Sequence, residues 1–501
     1  LPPLRSRYFA VILIVAAIGA FAPGCTRHEA PPAAVTMRIG LGEPPQGFRT
    51  VGMGSVISNL TSETWLYGRP DGHQSERVVS AFRWDESQTV LHLSLRKDIY
   101  FHDGTLLTPA IAAESMRATV AHAQAEGAFS LSSVKSVVVK DDGLDLVLSE
   151  PNAFVLADLA TVNVGKPGMD NVGTGPFKLV NRDKKRAFLT AFPQYYRGRP
   201  ALAGIEVVSY PTQRNAWAEL MRGEIDMLYE VSRDASEFVK AQSTVRTYTF
   251  GRPYYIPLVF NVRHPILKKV EVRKAINEAL DKATLVHEGL RDQGRPADGP
   301  IWPEHWAQPK EIPRFTYDPE SARRRLDAAG LTAPRTASGE MPVRFAFTCL
   351  LYAEDSRFER LAMIVQKQLA DVGIDMKLTP VKREDLFGRL ASGDFDAFLF
   401  EMYGRSLSYA YEFWHSHAAA FTNTGYTSAD ATLDRMKAAE TEDDMRAGVA
   451  DFARVLYEDP PAAFIAWQQA SRAVSTRFDV AAEPGRDILS KVWQWRLIDA
   501  S

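Results

Sequence analysis

Between residues 343 and 402 the chain changes period four times: VRFAFTCLLY, FERLAMIVQKQLADVG, IDMKLTPV, EDLFGRLASG, FDAFLFEM. The first, third and fifth runs are short and apolar, as buried strands are, while the second and fourth carry apolar residues at helical spacing. Strand, helix, strand, helix, strand is the pattern of a parallel sheet with crossover helices. This pattern predicts an α/β unit in the second half of the chain.

Upstream the texture differs. Residues 36–42 (TMRIGLG) read as a strand, residues 56–67 (VISNLTSETWLY) have helical spacing, and AFRWDESQTVLHLSLRKDIYF reads as two strands about a polar turn. Residues 135–149 alternate around Asp141-Asp142-Gly143, the turn chemistry of a hairpin. Strand signals at GTGPFKLV, AFLTAFPQYYRGRPAL and IEVVSYP follow, then a helix through NAWAELMRGEIDMLYEV that ends near Gly223. Further on, YYIPLVFNV reads as a strand and EVRKAINEALDKATLVHEGL as one helix with a single buried face. Asp318-Pro319 and Gly330 supply the cap, first-turn and C-terminal preferences of another helix.

The N-terminus does not belong to this pattern. Arg5 and Arg7 precede the apolar run YFAVILIVAAIGAFA, which ends at Ala22-Pro23-Gly24-Cys25. The run is shorter than the ~20 residues of a spanning helix, and polar, Pro-rich TRHEAPPAAV follows it. We read residues 1–24 as a signal peptide, Cys25 as a lipid-attachment site and residues 25–35 as a tether. The expected location is therefore the periplasm or cell surface, as a membrane-anchored lipoprotein. Cys349 is the only other cysteine, so a lipidated Cys25 leaves it without a partner. Within VRFAFTCLLY it reads as a small buried hydrophobe. A net charge of −2 and 24% charged residues give no basic excess to draw nucleic acid.

Enzyme motifs are missing: GxSxG, HExxH and Walker A sequences do not occur. GTGPF at 173–177 lacks a third glycine and leads into a strand, which removes the dinucleotide reading. The tripeptide His102-Asp103-Gly104 lies between a strand and a Thr108-Pro109 helix start; it reads as an Asp-Gly turn, with a hydrolase centre as the alternative. His415 and His417 read as a surface pair, with metal ligation as the alternative. No metal site and no cofactor are expected. Aromatic residues gather in irregular segments, at Tyr254, Tyr255, Trp302, Trp306 and through YGRSLSYAYEFW, where Tyr403, Tyr409 and Trp414 could form a ligand wall.

Several strings together resemble the peptide/nickel family (family 5) of extracellular solute-binding proteins of bacterial ABC transporters. They are LSLRKDIYFHDGTLLTP, NVGTGPFKLV, PQYYRGRPALAGIEVV, GEIDM, FNVRHPILKKVEVRKAINEALDKATLV, YDPESARRRLDAAG, and the stretch from GIDMKL to GDFDAFLF. The resemblance runs from about residue 38 to 480, and its motif order is more specific than any single motif.

That resemblance implies an α/β, two-lobed, hinged periplasmic-binding-protein fold (type II) with an extra β-rich subdomain in the first lobe. The implied boundaries are 36–55 with 168–255 and 470–501 for lobe I, 56–167 for the subdomain and 256–469 for lobe II. It also implies a non-enzymatic, monomeric receptor that closes on a peptide or peptide-like solute and hands it to an ABC permease and its ATPase. A nickel or metal-chelate receptor, or a binder of a carboxylate or sugar-like solute, are the alternatives. Where several peptide-binding members carry an Asp for the peptide ammonium, this sequence places Arg405, which favours an anionic or hydroxyl-rich group. The expected ligand-contacting set is Phe48, Tyr254, Asn261, Tyr403, Gly404, Arg405, Tyr409 and Trp414.

Overall fold

The computed structural model describes residues 35–42, 52–126, 130–232, 235, 238–239, 241–332, 342–417 and 422–498. The expectations for the signal peptide, Cys25 and Phe48 lie outside these residues. Among the described residues no helix is long and apolar enough to cross a membrane.

The alternation at 343–402 folds as its period dictates. Phe345–Tyr352 pairs in parallel with Ile374–Val381 on one side and with Ala397–Leu399 on the other. Helix Ser356–Ala370 supplies one crossover, capped by Asp355 accepting from the Arg357 amide, and helix Arg383–Ser392 supplies the other. Cys349 lies at the centre of this layer, fully buried, and burial pushes its thiol pKa well up.

The parallel strands do not form a sheet of their own. A single 12-stranded sheet continues from Ile374–Val381 through the long strands Val245–Phe260 and Ala462–Ser475 into Thr36–Gly42 and Gly204–Tyr210, and ends at Phe177–Arg182. The two long strands pair antiparallel with each other, and each is long enough to contribute to both ends of the sheet. Their ladder shifts register between Gly251 and Tyr255 and again between Ile256 and Pro257. Such interruptions bend a strand and release backbone groups from pairing.

Apolar residues gather in separate cores on this sheet. One holds Met37, Ile39, Val56, Phe177, Phe478 and Trp495; another holds Val272, Phe347, Leu361, Phe398 and Trp467. A separate four-stranded antiparallel sheet, Val79–Trp84, Val90–Leu95, Gly143–Leu148 and Val134–Val139, packs its own core around Phe101, Met116 and Leu146. Phe154 leaves that neighbourhood and buries in the core around Trp467, 6.0 Å from the Tyr411 ring.

Residues 271–290 depart from the single helix that their spacing predicts. The helix stops at Glu278, and Asp281 starts a new turn by accepting from the amides of Ala283 and Thr284. A short polar side chain that can bond the backbone two or three residues on competes with helix continuation, and here it wins. The remaining turns, Leu285–Gly289, are wound wider than an α-helix.

Candidate ligand-binding cavity

The register shift between Gly251 and Tyr255 frees Arg252, Pro253 and Tyr254 from the long ladder, and these residues wall a cavity of about 260 Å3. Gly251 itself is required by contact: a Cβ there would lie 2.1 Å from Cη2 of Trp302. The Trp302 indole is held further by the Arg295 guanidinium 4.5 Å over its ring and by Trp467 edge-on at 5.2 Å. Trp302 and Tyr254 both face the cavity, so it has a flat aromatic side.

Tyr254 is braced from behind. It pairs in the sheet with Tyr403, their rings meet edge-on at 5.3 Å, and Tyr409 packs on Tyr403 at 4.4 Å. Gly404 donates its amide to the Pro253 carbonyl at 2.9 Å, and a Cβ on Gly404 would meet Trp467 at 2.5 Å. Ser406 then starts helix Leu407–Trp414 by accepting from the Ser408 amide. Between the tight glycine and this cap, Arg405 lines the cavity. Among the described residues its side chain makes one hydrogen bond, from Nη2 to the Gly68 carbonyl at 3.4 Å, and pairs with no carboxylate.

Five guanidinium groups line the cavity, those of Arg69, Arg252, Arg405, Arg472 and Arg486, against the carboxylates of Glu230 and Asp487. Arg472 is buried and committed: it donates Nη2 to Asp487 at 2.8 Å and Nη1 to the Tyr229 carbonyl, and lies 3.6 Å over the Tyr229 ring. Arg69 pairs with Asp71 at 3.1 Å. Arg252 donates to Gln468 at 3.2 Å and lies over the Tyr254 ring at 5.2 Å. Arg486 lies 4.7 Å over the Tyr67 ring, and its Nη1 is buried without a hydrogen-bond partner. Cationic donors in a partly enclosed site attract and orient anions, most strongly carboxylates that can accept two bonds.

Of the residues expected from sequence to touch ligand, Tyr254 and Arg405 line the cavity, while Tyr403, Gly404 and Tyr409 support them from outside it. Asn261 lies elsewhere: its Nδ2 donates to the carbonyls of Gly393 and Phe395, and its Oδ1 accepts from the Arg263 amide. Trp414 is buried and donates Nε1 to the Tyr255 hydroxyl at 3.2 Å. Arg69, Arg252, Trp302, Arg472 and Arg486 were not expected there. Arg472 left a trace in the sequence, a charged residue within the apolar strand AFIAWQQASRAVS.

The two histidine motifs lie outside the cavity lining. His102 is buried, with Nε2 3.0 Å from the Gly175 carbonyl, and Asp103 pairs with Lys166. Gly104 takes the positive φ of 86° that the Asp-Gly turn demands. His415 stacks on Tyr411 at 4.4 Å and its Nε2 lies 3.2 Å from Asp434. Among the described residues no group of three or more His, Cys, Asp or Glu is placed to hold a metal ion.

The chain resembles known proteins along most of its length. It is 25% identical over 340 residues to the oligopeptide-binding protein AppA of Bacillus subtilis, a match covering 64% of this chain and 62% of AppA. The aligned region thus spans less than two thirds of that relative. In fold it matches NikA from Brucella suis, solved with Fe(III)-EDTA, with a TM-score of 0.80 at 21% identity over 92% of this chain and 100% of NikA. AgaA from A. tumefaciens R10, solved with agropinic acid, matches with a TM-score of 0.74 at 19% identity over 93% of this chain and 99% of AgaA. These likenesses establish the two-domain binding-protein fold. The model of the middle region of bacterial extracellular solute-binding proteins, family 5, matches residues 59–421. The chain belongs to that family, the family 5 solute-binding proteins of ABC transporters, and is a solute-binding protein rather than an enzyme.

Proposed function

We propose that this chain is the exported, lipid-anchored receptor of an ABC importer and that it captures a small anionic solute in the cavity beside Arg405. The observation that carries this reading is the lining itself, five guanidinium groups against two carboxylates around about 260 Å3. That volume is at the small end of ligand pockets, which favours a solute of dipeptide size over an extended oligopeptide. A free peptide amine would meet Arg405 where an acidic partner would be needed, so a peptide would be held by its carboxylate end. The Cys25 sequence and the apolar run before it support attachment to the membrane by lipid. A bare metal ion is less well supported, since His415 and His417 are not among the residues that line the cavity.

Thermal unfolding with a matched pair of probes tests the reading. The dipeptide Ala-Phe as the free acid should raise the melting temperature by several degrees at a concentration of ~100 Kd, which corresponds to about 2.7 kcal/mol of linkage stabilisation. C-terminally amidated Ala-Phe should not. Equal shifts from both, or a shift from the amide alone, would refute a carboxylate-directed site.

A further inference from the structure

Resting on the anion-receptor reading, we infer that the solute is a dianion with an apolar, flat middle: two carboxylates or equivalent groups, one held by Arg405 and the other by Arg486, about a core lying on Trp302.

The first argument is charge balance. Two lining guanidiniums are already neutralised, Arg472 by Asp487 and Arg69 by Asp71. Arg252, Arg405 and Arg486 form no ion pair with any described residue, and Glu230 is the lining carboxylate that remains to oppose them. The surplus is two positive charges, which one dianion cancels. A monoanion would leave an uncompensated guanidinium in a partly enclosed site, an arrangement that is costly.

Placement supplies the second argument. Arg405 follows Met402–Tyr403, whose partner in the sheet is the long strand Val245–Phe260 in the core around Trp467. Arg486 precedes the turn Ile488–Gln494, which packs in the core around Met37 and Trp495. The two guanidiniums are thus mounted on different cores. Each retains donor capacity: among the described residues Arg405 has a single long bond to Gly68, and Nη1 of Arg486 is buried without a partner. A buried unpartnered guanidinium nitrogen beside a cavity points to a ligand oxygen, because leaving it unmade is unfavourable. The same lining includes a flat apolar surface, Trp302 seated against Gly251.

Like charges carried on separate elements also bear on motion. With the cavity empty, Arg405 and Arg486 disfavour approach of the elements that carry them; a dianion converts that repulsion into two attractions.

Isothermal titration of the full chain with 2-phenylsuccinate, 3-phenylpropionate and 3-phenylpropanamide tests this. The dianion should bind at least about tenfold more tightly than the monoanion, the worth of one additional charge-assisted contact, and the amide should not bind measurably. Arg405→Gln and Arg486→Gln should each bring 2-phenylsuccinate down to the affinity of 3-phenylpropionate, with Arg405→Lys and Arg486→Lys retaining part of the preference. Melting temperatures of the unliganded variants within a few degrees of the parent show that the fold is intact. Equal affinity for dianion and monoanion would overturn the dianion inference alone. Binding of the amide as tight as that of either acid, or no binding of either acid, would overturn the anion-receptor reading with it.

Discussion

At the scale of single residues, the cavity depends on what is missing from Gly251 as much as on what is present around it. Gly251→Ala would place a methyl 2.1 Å from Trp302 Cη2 and drive the indole off its seat. We expect a loss of about 1–3 kcal/mol of stability from overpacking and at least about tenfold weaker binding of whichever probe stabilises the parent. Tryptophan fluorescence and calorimetry measure both; unchanged affinity would mean that Trp302 does not touch the solute. Arg405 was legible in the sequence because it lies in a motif whose place in the family is recognisable. Arg252 was not, because its direction depends on a register shift between two strands more than two hundred residues apart. Asn261 shows the converse: its position next to a strand end was legible, but its amide serves the backbone carbonyls of Gly393 and Phe395.

At the scale of elements, two buried titratable groups join the four-stranded subdomain region to the rest, and they respond to acid in opposite senses. Asp158, in helix Val155–Leu159, accepts from Ser408 Oγ at 2.6 Å and from the Ser130 amide at 2.7 Å. Burial nonetheless raises its pKa to about 6. His305 packs where a Cβ of Gly72 would touch it at 2.3 Å, and burial, with His73 nearby, lowers its pKa to about 4. Between about pH 6.5 and 4 the unfolded chain protonates this histidine before the folded one does, so stability falls by up to about 3 kcal/mol as pH drops. Between about pH 6 and 3.9 the folded chain protonates Asp158 first, so stability rises on acidification by a similar amount. The contributions nearly cancel in the parent. Asp158→Asn removes one of them, and its melting temperature should fall more steeply than the parent's from pH 7 to pH 5; parallel slopes would show that Asp158 does not titrate there. The elements themselves were largely legible. Periodicity located the parallel strands and hairpins, but it missed the break at Asp281, where a side chain outcompeted the helix that the apolar spacing favoured.

At the scale of the whole molecule, backbone hydrogen bonds tie together regions that are distant in sequence. Trp306 donates its amide to the Asp71 carbonyl at 2.8 Å, and Ala153 donates to Lys437 at 2.8 Å. His73 stacks on Trp306 at 4.9 Å. Hydrogen exchange with and without a stabilising probe should slow at Trp306 and Ala153 more than in Val90–Leu95, which is inside the four-stranded sheet. Uniform slowing would mean general stabilisation without closure. The family resemblance implied two lobes, and the fold comparisons agree. Sequence patterning did not reveal one hydrogen-bonded sheet running through both, because strand order depends on which edges meet and not on any local period.

The cavity draws its wall from chain segments that are far apart, reaching from Ser55 to Asp487. A polypeptide is made from its N-terminus, so a nascent chain late in synthesis already holds Arg69, Arg252 and Arg405 but no Arg472, Arg486 or Asp487. Until residues 470–487 have emerged, the sheet lacks its second long strand and the pocket lacks a side. The cavity is therefore a feature that the molecule acquires only near the end of its own production, and a partly made chain lacks the proposed capture site.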